Sequence, residues 1–424
     1  MSIVIQKFGG TSVAGPKAIY RVAKQILATR KKGNSVAVVV SAMGDATDKL
    51  IDLAHRITSS PNSREMDMLI ATGEQVSSAL LAMALHKLGV DAISLTGAQA
   101  GISTDAMHRK AKIMGINPQR VLKHLNEGRI VIVTGFQGIT PANDVATLGR
   151  GGSDITALAL AAALKVKRCQ IFTDVNGVYS ADPRIVKEAR RLDEITYDEM
   201  LELASLGAQV LMGRAVEFAK KYGVRLEVLS SFKKGRGTII KEEVNSMENI
   251  VVRSVLADKN QAKVTLSGVP DHPGIAAQIF KELAGGNINI DMIVQNVGIK
   301  GVADISFTVP YDDLPSVKQV LEKTAKKVGV QAIDIDKDVA KVSIVGAGMR
   351  GHSGVAFHMF KTLAQKKINI QMISTSEIKI SVMIKKRLAE KAVRALYNAF
   401  ALSKIVTSVQ KKRMRLKTTR KKRK

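Results

Sequence analysis

Tryptophan is absent from these 424 residues, cysteine occurs once, and six tyrosines and ten phenylalanines are all the large aromatics there are. The cores must therefore be built from Ile, Val, Leu, Ala and Met. A single cysteine excludes an intramolecular disulfide framework and any Cys-rich zinc site. It sits in the apolar run CQIF, so Cys169 reads as a buried structural thiol suited to a reducing cytosol, and the expected location is cytoplasmic. No apolar run approaches the roughly 18 residues that a membrane span needs, so no membrane association is expected. The opening MSIVIQKFGG lacks a basic segment followed by a long apolar one; it reads as a first strand rather than a signal peptide. There is no G-x-x-x-x-G-K-[ST] and no protein-kinase motif set, which excludes a P-loop enzyme and a protein kinase.

Acid is also scarce: 37 Asp and Glu face 65 Lys and Arg, for a net charge of +28. The last fourteen residues, KKRMRLKTTRKKRK, hold ten Lys or Arg and no acid, and removing those ten charges leaves +18 on the first 410 residues. That end reads as a disordered basic tail, the one segment with the charge to touch nucleic acid.

The length predicts two to four domains. Through residue 243, strand-like runs alternate with helical spacing, as in an α/β domain. Ile3–Gln6 is a short strand ending at Gly9-Gly10. Residues 17–32 space Ile19, Val22, Ala23, Ile26 and Leu27 as a helix that Gly33 stops. Val36–Ser41 has the composition of a fully buried strand. Residues 64–88 form one long helical stretch, and Arg129–Thr134 and Gln170–Thr173 are further strands. Beyond 243 a repeat appears. Gly274, Phe280, Leu283, Ala284, Ile288, Asn289, Ile290, Met292 and Ile293 all recur eighty positions later, and upstream of His272 and His352 the offset is 78. Two copies of one small domain follow, the second with two extra loop residues. Gly346-Ala-Gly348-Met-Arg-Gly351 fits a dinucleotide fingerprint by spelling, but the equivalent loop GVPDHPG lacks that spacing, so those glycines serve the small-domain fold.

Five motifs carry chemistry. In Lys7-Phe8-Gly9-Gly10-Thr11-Ser12 two glycines let the backbone approach an anion, beside a lysine that supplies a mobile charge. Gly149-Arg150-Gly151-Gly152-Ser153-Asp154 runs into an Ala/Leu helix that Ser153 or Asp154 can cap, which makes an anion site. Thr173-Asp174-Val175-Asn176-Gly177-Val178-Tyr179, continuing to Asp182-Pro183-Arg184, suits the edge of a nucleotide pocket. Ser41-Ala42-Met43-Gly44 with Thr47, and Ala71-Thr72-Gly73-Glu74-Gln75, complete the set. Taken singly, each is also an ordinary turn, a capped helix start or a solvated side chain.

In this order and spacing, KFGGTSV, SAMG, ATGEQ, LGRGGSD and TDVNGVYSADPR resemble the aspartate kinases of the amino-acid-kinase superfamily, and the resemblance extends over residues 1–407. It implies an amino-acid-kinase fold, an open and mainly parallel sheet between helices, over 1–243. A linker and strand at 244–260 complete the second of two ferredoxin-like ACT domains, which span 261–335 and 336–407 before the tail at 408–424. The activity implied is transfer of the ATP γ-phosphoryl group to the side-chain carboxylate of L-aspartate, with Mg2+, as the first step toward lysine, threonine and methionine. Lys7, Gly9 and Gly10 would cradle the phosphoryl group, with Asp154 fixing Lys7, and Phe8 would join them in binding the nucleotide. Ser41, Thr47, Glu74, Arg150 and Ser153 would hold aspartate, Arg150 on its α-carboxylate and Glu74 on its ammonium. Thr173, Asp174, Tyr179, Asp182 and Arg184 would line the nucleotide pocket, and no protein group would hold a metal by itself. Lysine, threonine or both would bind Asp271, Ile275, Ala276, Asn289, Ile290, Asp291 and Gln295 of the first ACT copy. In the second copy they would meet Val355, Ala356, Ile370, Gln371, Glu377 and Ile378, across a homodimer or higher oligomer. The chain departs from many relatives at Gln209, where a lysine is common, at Met212-Gly213 in place of His-Pro, and at Asn176 in place of Asp. Two competing readings remain: another carboxylate or carbamate kinase of the superfamily, or an ACT-based sensor whose tail binds nucleic acid.

Overall fold

A computed structural model describes residues 2–207, 210–243, 251–286, 288–297, 301–349, 352 and 354–402. Gln209 and the basic tail lie outside the described residues. The chain divides into two compact units. One comprises residues up to Val178 together with Arg191–Asn245; the other takes Tyr179–Arg190 and the described residues after Ser246.

In the first unit the order is β1 (Ile3–Phe8), α1 (Pro16–Arg30), β2 (Ser35–Val40), α2 (Ala46–Ile57), α3 (Ser63–Ile70), α4 (Thr72–Lys87), β3 (Ala92–Leu95), β4 (Ile102–Thr104) and β5 (Ile113–Ile116). There follow α5 (Gln119–Asn126), β6 (Ile130–Thr134), β7 (Gln137–Ile139), β8 (Val145–Thr147), α6 (Gly152–Ala163), β9 (Arg168–Thr173), β10 (Glu194–Thr196), α7 (Tyr197–Ser205), α8 (Gly213–Tyr222), β11 (Arg225–Ser230) and β12 (Thr238–Lys241). Eight strands form one sheet in the order β10-β12-β11-β9-β1-β2-β6-β3. Every neighbouring pair is parallel except β11 with β12. Val36 through Val40 are buried without alternation, so both faces of the sheet are covered. On one face Val36, Val38, Val40, Ile130 and Ile132 pack with Ile19, Val22 and Ile26 of α1 and Leu81 and Leu85 of α4.

The long helical stretch at 64–88 is two helices that meet at Ala71. Ser63–Lys87 is apolar and long enough to cross a membrane by length and composition alone, yet half of it is buried inside the protein. It is a core element, and it carries the buried polar residues Glu74, Ser77 and Ser78. Cys169 is fully buried, and desolvation pushes its thiol far above the ordinary range, as expected of a structural cysteine.

The second unit runs β13 (Ser254–Pro270), α9 (Ile275–Gly285), β14 (Ile293–Val297), β15 (Val302–Pro310), α10 (Leu314–Val328), β16 (Ala332–Val345), α11 (Val355–Gln365), β17 (Met372–Thr375), β18 (Lys379–Lys385) and α12 (Ala389–Ala399). Its strands form a single sheet, β14-β15-β13-β16-β18-β17, antiparallel throughout. The eighty-residue repeat is literal in space: α9 and α11 begin at Ile275 and Val355, each after a glycine, Gly274 and Gly354, with φ near +94° and +93°. The start of β13 (Ser254–Asp258) pairs with the second copy's strand at Lys341–Val345. From Gln261 onward the same strand pairs with β15. One continuous strand thus serves both copies. The segment Tyr179–Arg190 contributes Ala181 and Val186 to the core under β16, β18, α11 and α12. Its backbone is tied there as well. Val255 N–H donates to the Ser180 carbonyl at 2.9 Å, and the Tyr397 hydroxyl donates to the Glu188 carbonyl at 2.8 Å.

Candidate active site

The parallel strands β1, β2, β6 and β9 all end toward the same edge of the sheet, where open α/β sheets bind ligands. Their ends are laced together. Ser41 N–H donates to the Phe8 carbonyl at 3.1 Å, Gly135 N–H to the Val40 carbonyl at 2.9 Å, and Gly9 N–H to the Phe172 carbonyl at 3.2 Å. The Phe8 and Phe172 rings stack at 4.6 Å beneath this edge. The turn after β1 is tight: a Cβ on Gly10 would stand 2.8 Å from the Ala42 carbonyl oxygen, so any other residue would push the two turns apart.

A cavity of about 720 Å³ opens at this edge, lined by Lys7, Gly10, Ser41, Thr47, Glu74, Arg150 and Ser153 among others. Seven residues expected from four separate motifs thus meet in one space. Lys7 Nζ lies 2.6 Å from Asp154 Oδ1, both side chains almost buried, in an ion pair poorly aligned for a hydrogen bond. Asp154 therefore reaches back to β1. Neither it nor Ser153 caps α6, whose N-cap is Gly151 in the left-handed region at φ +72°. A Cβ at Gly151 would also meet the Met212 side chain at 2.4 Å, which explains why a glycine must start this helix.

Glu74 is 3% exposed. Its Oε1 accepts from Ala42 N–H at 3.0 Å, while Oε2 is buried with no hydrogen-bond partner among the described residues. Burial pushes its pKa up to about 7, against the opposing pull of the Ala42 N–H and the Lys7 charge. A half-satisfied carboxylate facing a cavity is suited to a cationic ligand group.

Several contributors carried no sequence signal. Asp67 is fully buried and binds Thr147 Oγ1 at 2.5 Å, Thr147 N–H at 3.1 Å and Arg109 N–H at 3.0 Å. Arg214 of α8 donates to the carbonyls of Leu148 at 2.7 Å and Ala111 at 2.8 Å, bracing the glycine loop from outside. Arg109 and Lys110 also line the cavity. Only their placement in the fold reveals them, Asp67 by its burial and the three basic residues by what they contact or line; a lone Asp in a helix or Arg in a turn has no motif.

The residues expected for the nucleotide divide. Thr173 ends β9 and hydrogen-bonds Asp174 at 2.9 Å, in the first unit. Tyr179, Asp182 and Arg184 belong to the segment that groups with the second unit, where Asp182 and Arg184 pair with each other at 2.7 Å. In the second unit Asp271 precedes α9, Ile275 and Ala276 open it, and Gln295 is exposed on β14. Asn289 and Ile290 lead into Asp291, which ion-pairs with the buried Lys341. Val355 and Ala356 open α11, and Ile370 packs beside them on the same core. Gln371 donates to Asp336 at 3.3 Å, and the carbonyl of Ile378 accepts from Gly346 N–H at 2.9 Å next to Glu377.

Comparison with known proteins agrees with this geometry. Residues 2–230 match the amino acid kinase family, and residues 264–324 and 342–400 each match an ACT domain. The chain is 52% identical over 403 residues to the aspartate kinase of Pseudomonas putida, covering 95% of this chain and 98% of that one. It is 50% identical over 412 residues to an aspartokinase of Geobacillus stearothermophilus, covering 97% and 100%. Among solved structures, E. coli aspartokinase III in complex with aspartate and ADP superposes with a TM-score of 0.77 at 26% identity, covering 94% of this chain and 99% of that one. An amino-acid-kinase sheet with a Lys7–Asp154 pair at its edge, a doubled ACT unit and half of all positions shared with full-length relatives place this chain in the aspartate kinase family.

Proposed function

We propose that this chain transfers the γ-phosphoryl group of ATP to the side-chain carboxylate of L-aspartate, yielding 4-phospho-L-aspartate, the first step toward lysine, threonine and methionine. The observation that carries the reading is the cavity's charge arrangement. Arg150 offers a fork for the α-carboxylate, and Glu74 Oε2 offers an acceptor for the ammonium. Lys7, held by Asp154, offers a cation for the phosphoryl oxygens. Ser41, Thr47 and Ser153 complete the amino-acid side, and Gly9 and Gly10 leave room for the transferred group. Thr173 and Asp174 stand on the nucleotide side.

Phosphoryl transfer requires in-line positioning and neutralised charge more than covalent help. Lys7 supplies that charge, and Asp154 fixes where it stands. No group of three or more His, Cys, Asp or Glu among the described residues could hold a metal ion. Mg2+ would arrive on the nucleotide phosphates, since it keeps waters and leans on substrate oxygens. Once bound, the ion would neutralise phosphoryl charge.

The ACT pair makes the enzyme a feedback-regulated one, with lysine or threonine as effector. E. coli aspartokinase III has been solved with lysine and aspartate, which supports lysine first. Effectors would meet Asp271, Gln295 and Gln371 where ACT units of a dimer come together, and the enzyme would work in the cytoplasm. An ATP-consumption assay with aspartate, with glutamate as control and lysine and threonine added singly and together, tests the reading. Turnover equal on glutamate would overturn it.

A further inference from the structure

We propose that Arg109 is a further substrate-contact residue, its guanidinium taking a carboxylate of the amino-acid substrate, and that Asp67 is the residue that positions it. This rests on the reading that the cavity described above holds aspartate.

Arg109 stands at φ +68°, the left-handed region that a side chain bearing a Cβ seldom adopts. Such a conformation persists only where the surroundings over-determine it. Asp67 does so here. Both its oxygens accept Arg109 N–H, at 3.3 and 3.0 Å, and Oδ2 also meets His108 Nδ1 at 2.9 Å. The same carboxylate grips Thr147 through its hydroxyl and its N–H. A carboxylate with no exposure of its own is thus fully engaged in pinning the 108–109 turn to the end of β8.

Both pinned segments open onto the same cavity, since Thr147, Arg109 and Lys110 all line it. They are also packed closely. A Cβ on Gly149 would come within 3.0 Å of the Arg109 carbonyl oxygen, which brings the Arg109 turn against the loop that carries Arg150. Among the described residues, no acidic side chain pairs with the guanidinium of Arg109 or of Arg150. Two unpaired guanidinium groups in one cavity match a substrate with two carboxylates, because a planar fork recognises a carboxylate in a bidentate way.

Steady-state kinetics on the full-length enzyme, varying aspartate and ATP separately, tests this. Arg109→Ala keeps the backbone strain and removes the guanidinium. It should raise KM for aspartate about tenfold while KM for ATP stays within about twofold. Arg109→Lys, which retains the charge, should recover most of the loss. Asp67→Asn places an amide N–H where an acceptor is needed and should shift KM for aspartate in the same direction. Arg150→Ala is the control. If it raises KM for aspartate while Arg109→Ala does not, the inference fails and the cavity reading stands. If neither moves KM for aspartate, the cavity reading fails and takes the inference with it. If Asp67→Asn lowers the melting temperature without moving KM, Asp67 is not a positioning residue.

Discussion

Lys7, the penultimate residue of the first strand, and Asp154, in the first turn of α6, face each other across 2.6 Å at the edge of the parallel sheet. Neither charge reaches bulk water freely, so each holds the other in place. The first prediction follows from that coupling. Lys7→Ala should lower kcat by about 10²–10³-fold with an unchanged circular dichroism spectrum, since the lost charge acts on the transition state. Asp154→Asn should lower kcat less, because the lysine remains but is no longer fixed. A kcat within about threefold of the parent for Lys7→Ala would remove that residue from the chemistry.

Glu74 gives a pH prediction. Its pKa rises from an ordinary 4.5 to about 7 in the folded protein. Between those values the native state holds a proton that the unfolded chain has released. Its contribution therefore favours folding most below the lower value and is lost as pH rises through about 7. Glu74→Gln should flatten this part of the stability profile, read as melting temperature from pH 5 to 8. Aspartate's ammonium needs the ionised carboxylate, so KM for aspartate should fall as pH rises through 7 in the parent. The variant should show no such trend.

Lys341 is 2% exposed and its partner Asp291 about one-third exposed. Removing only the acid strands a buried ammonium, so Asp291→Ala should cost about 2–3 kcal/mol in urea unfolding of the full chain. Asp291→Ala with Lys341→Met should regain most of it. A double variant no more stable than the single one would show that the pair is not coupled.

Inhibition should run through the second unit. Gln295→Ala or Asp271→Ala should weaken inhibition by lysine or threonine about tenfold, while uninhibited kcat stays within about threefold. Reciprocity demands that saturating aspartate weaken effector binding by the factor by which effector weakens aspartate binding, which calorimetry can measure. Full sensitivity in both variants would move the effector site elsewhere.

Much of this was legible in the residue order. The doubled small domain showed in nine identities at a fixed offset, because two copies of one core need the same apolar positions. Lys7, Glu74 and Arg150, which the fold brings to one cavity, stood out because glycines around anion sites are constrained in spacing. What stayed hidden depends on tertiary approach. Asp67 has no neighbours in sequence that announce it; its five hydrogen bonds come from residues more than forty positions away. The capping role expected for Ser153 or Asp154 went instead to Gly151, since Asp154 is drawn to Lys7 and Met212 leaves no room for a side chain. The break at Ala71 was equally invisible, because apolar periodicity runs on through it.

Tyr179–Arg190 lies inside the stretch that matches the amino acid kinase family, yet folds as part of the second unit. A single cut after residue 245 would consequently yield no clean catalytic fragment. The loop would keep its covalent anchors at Val178 and Arg191 but lose the walls around Val186 and Ala181, leaving oily side chains bare in the middle of the piece. Any attempt to graft a different sensor onto this kinase must carry the loop's binding groove along with it, or redesign twelve residues that sequence alignment would assign to the wrong half.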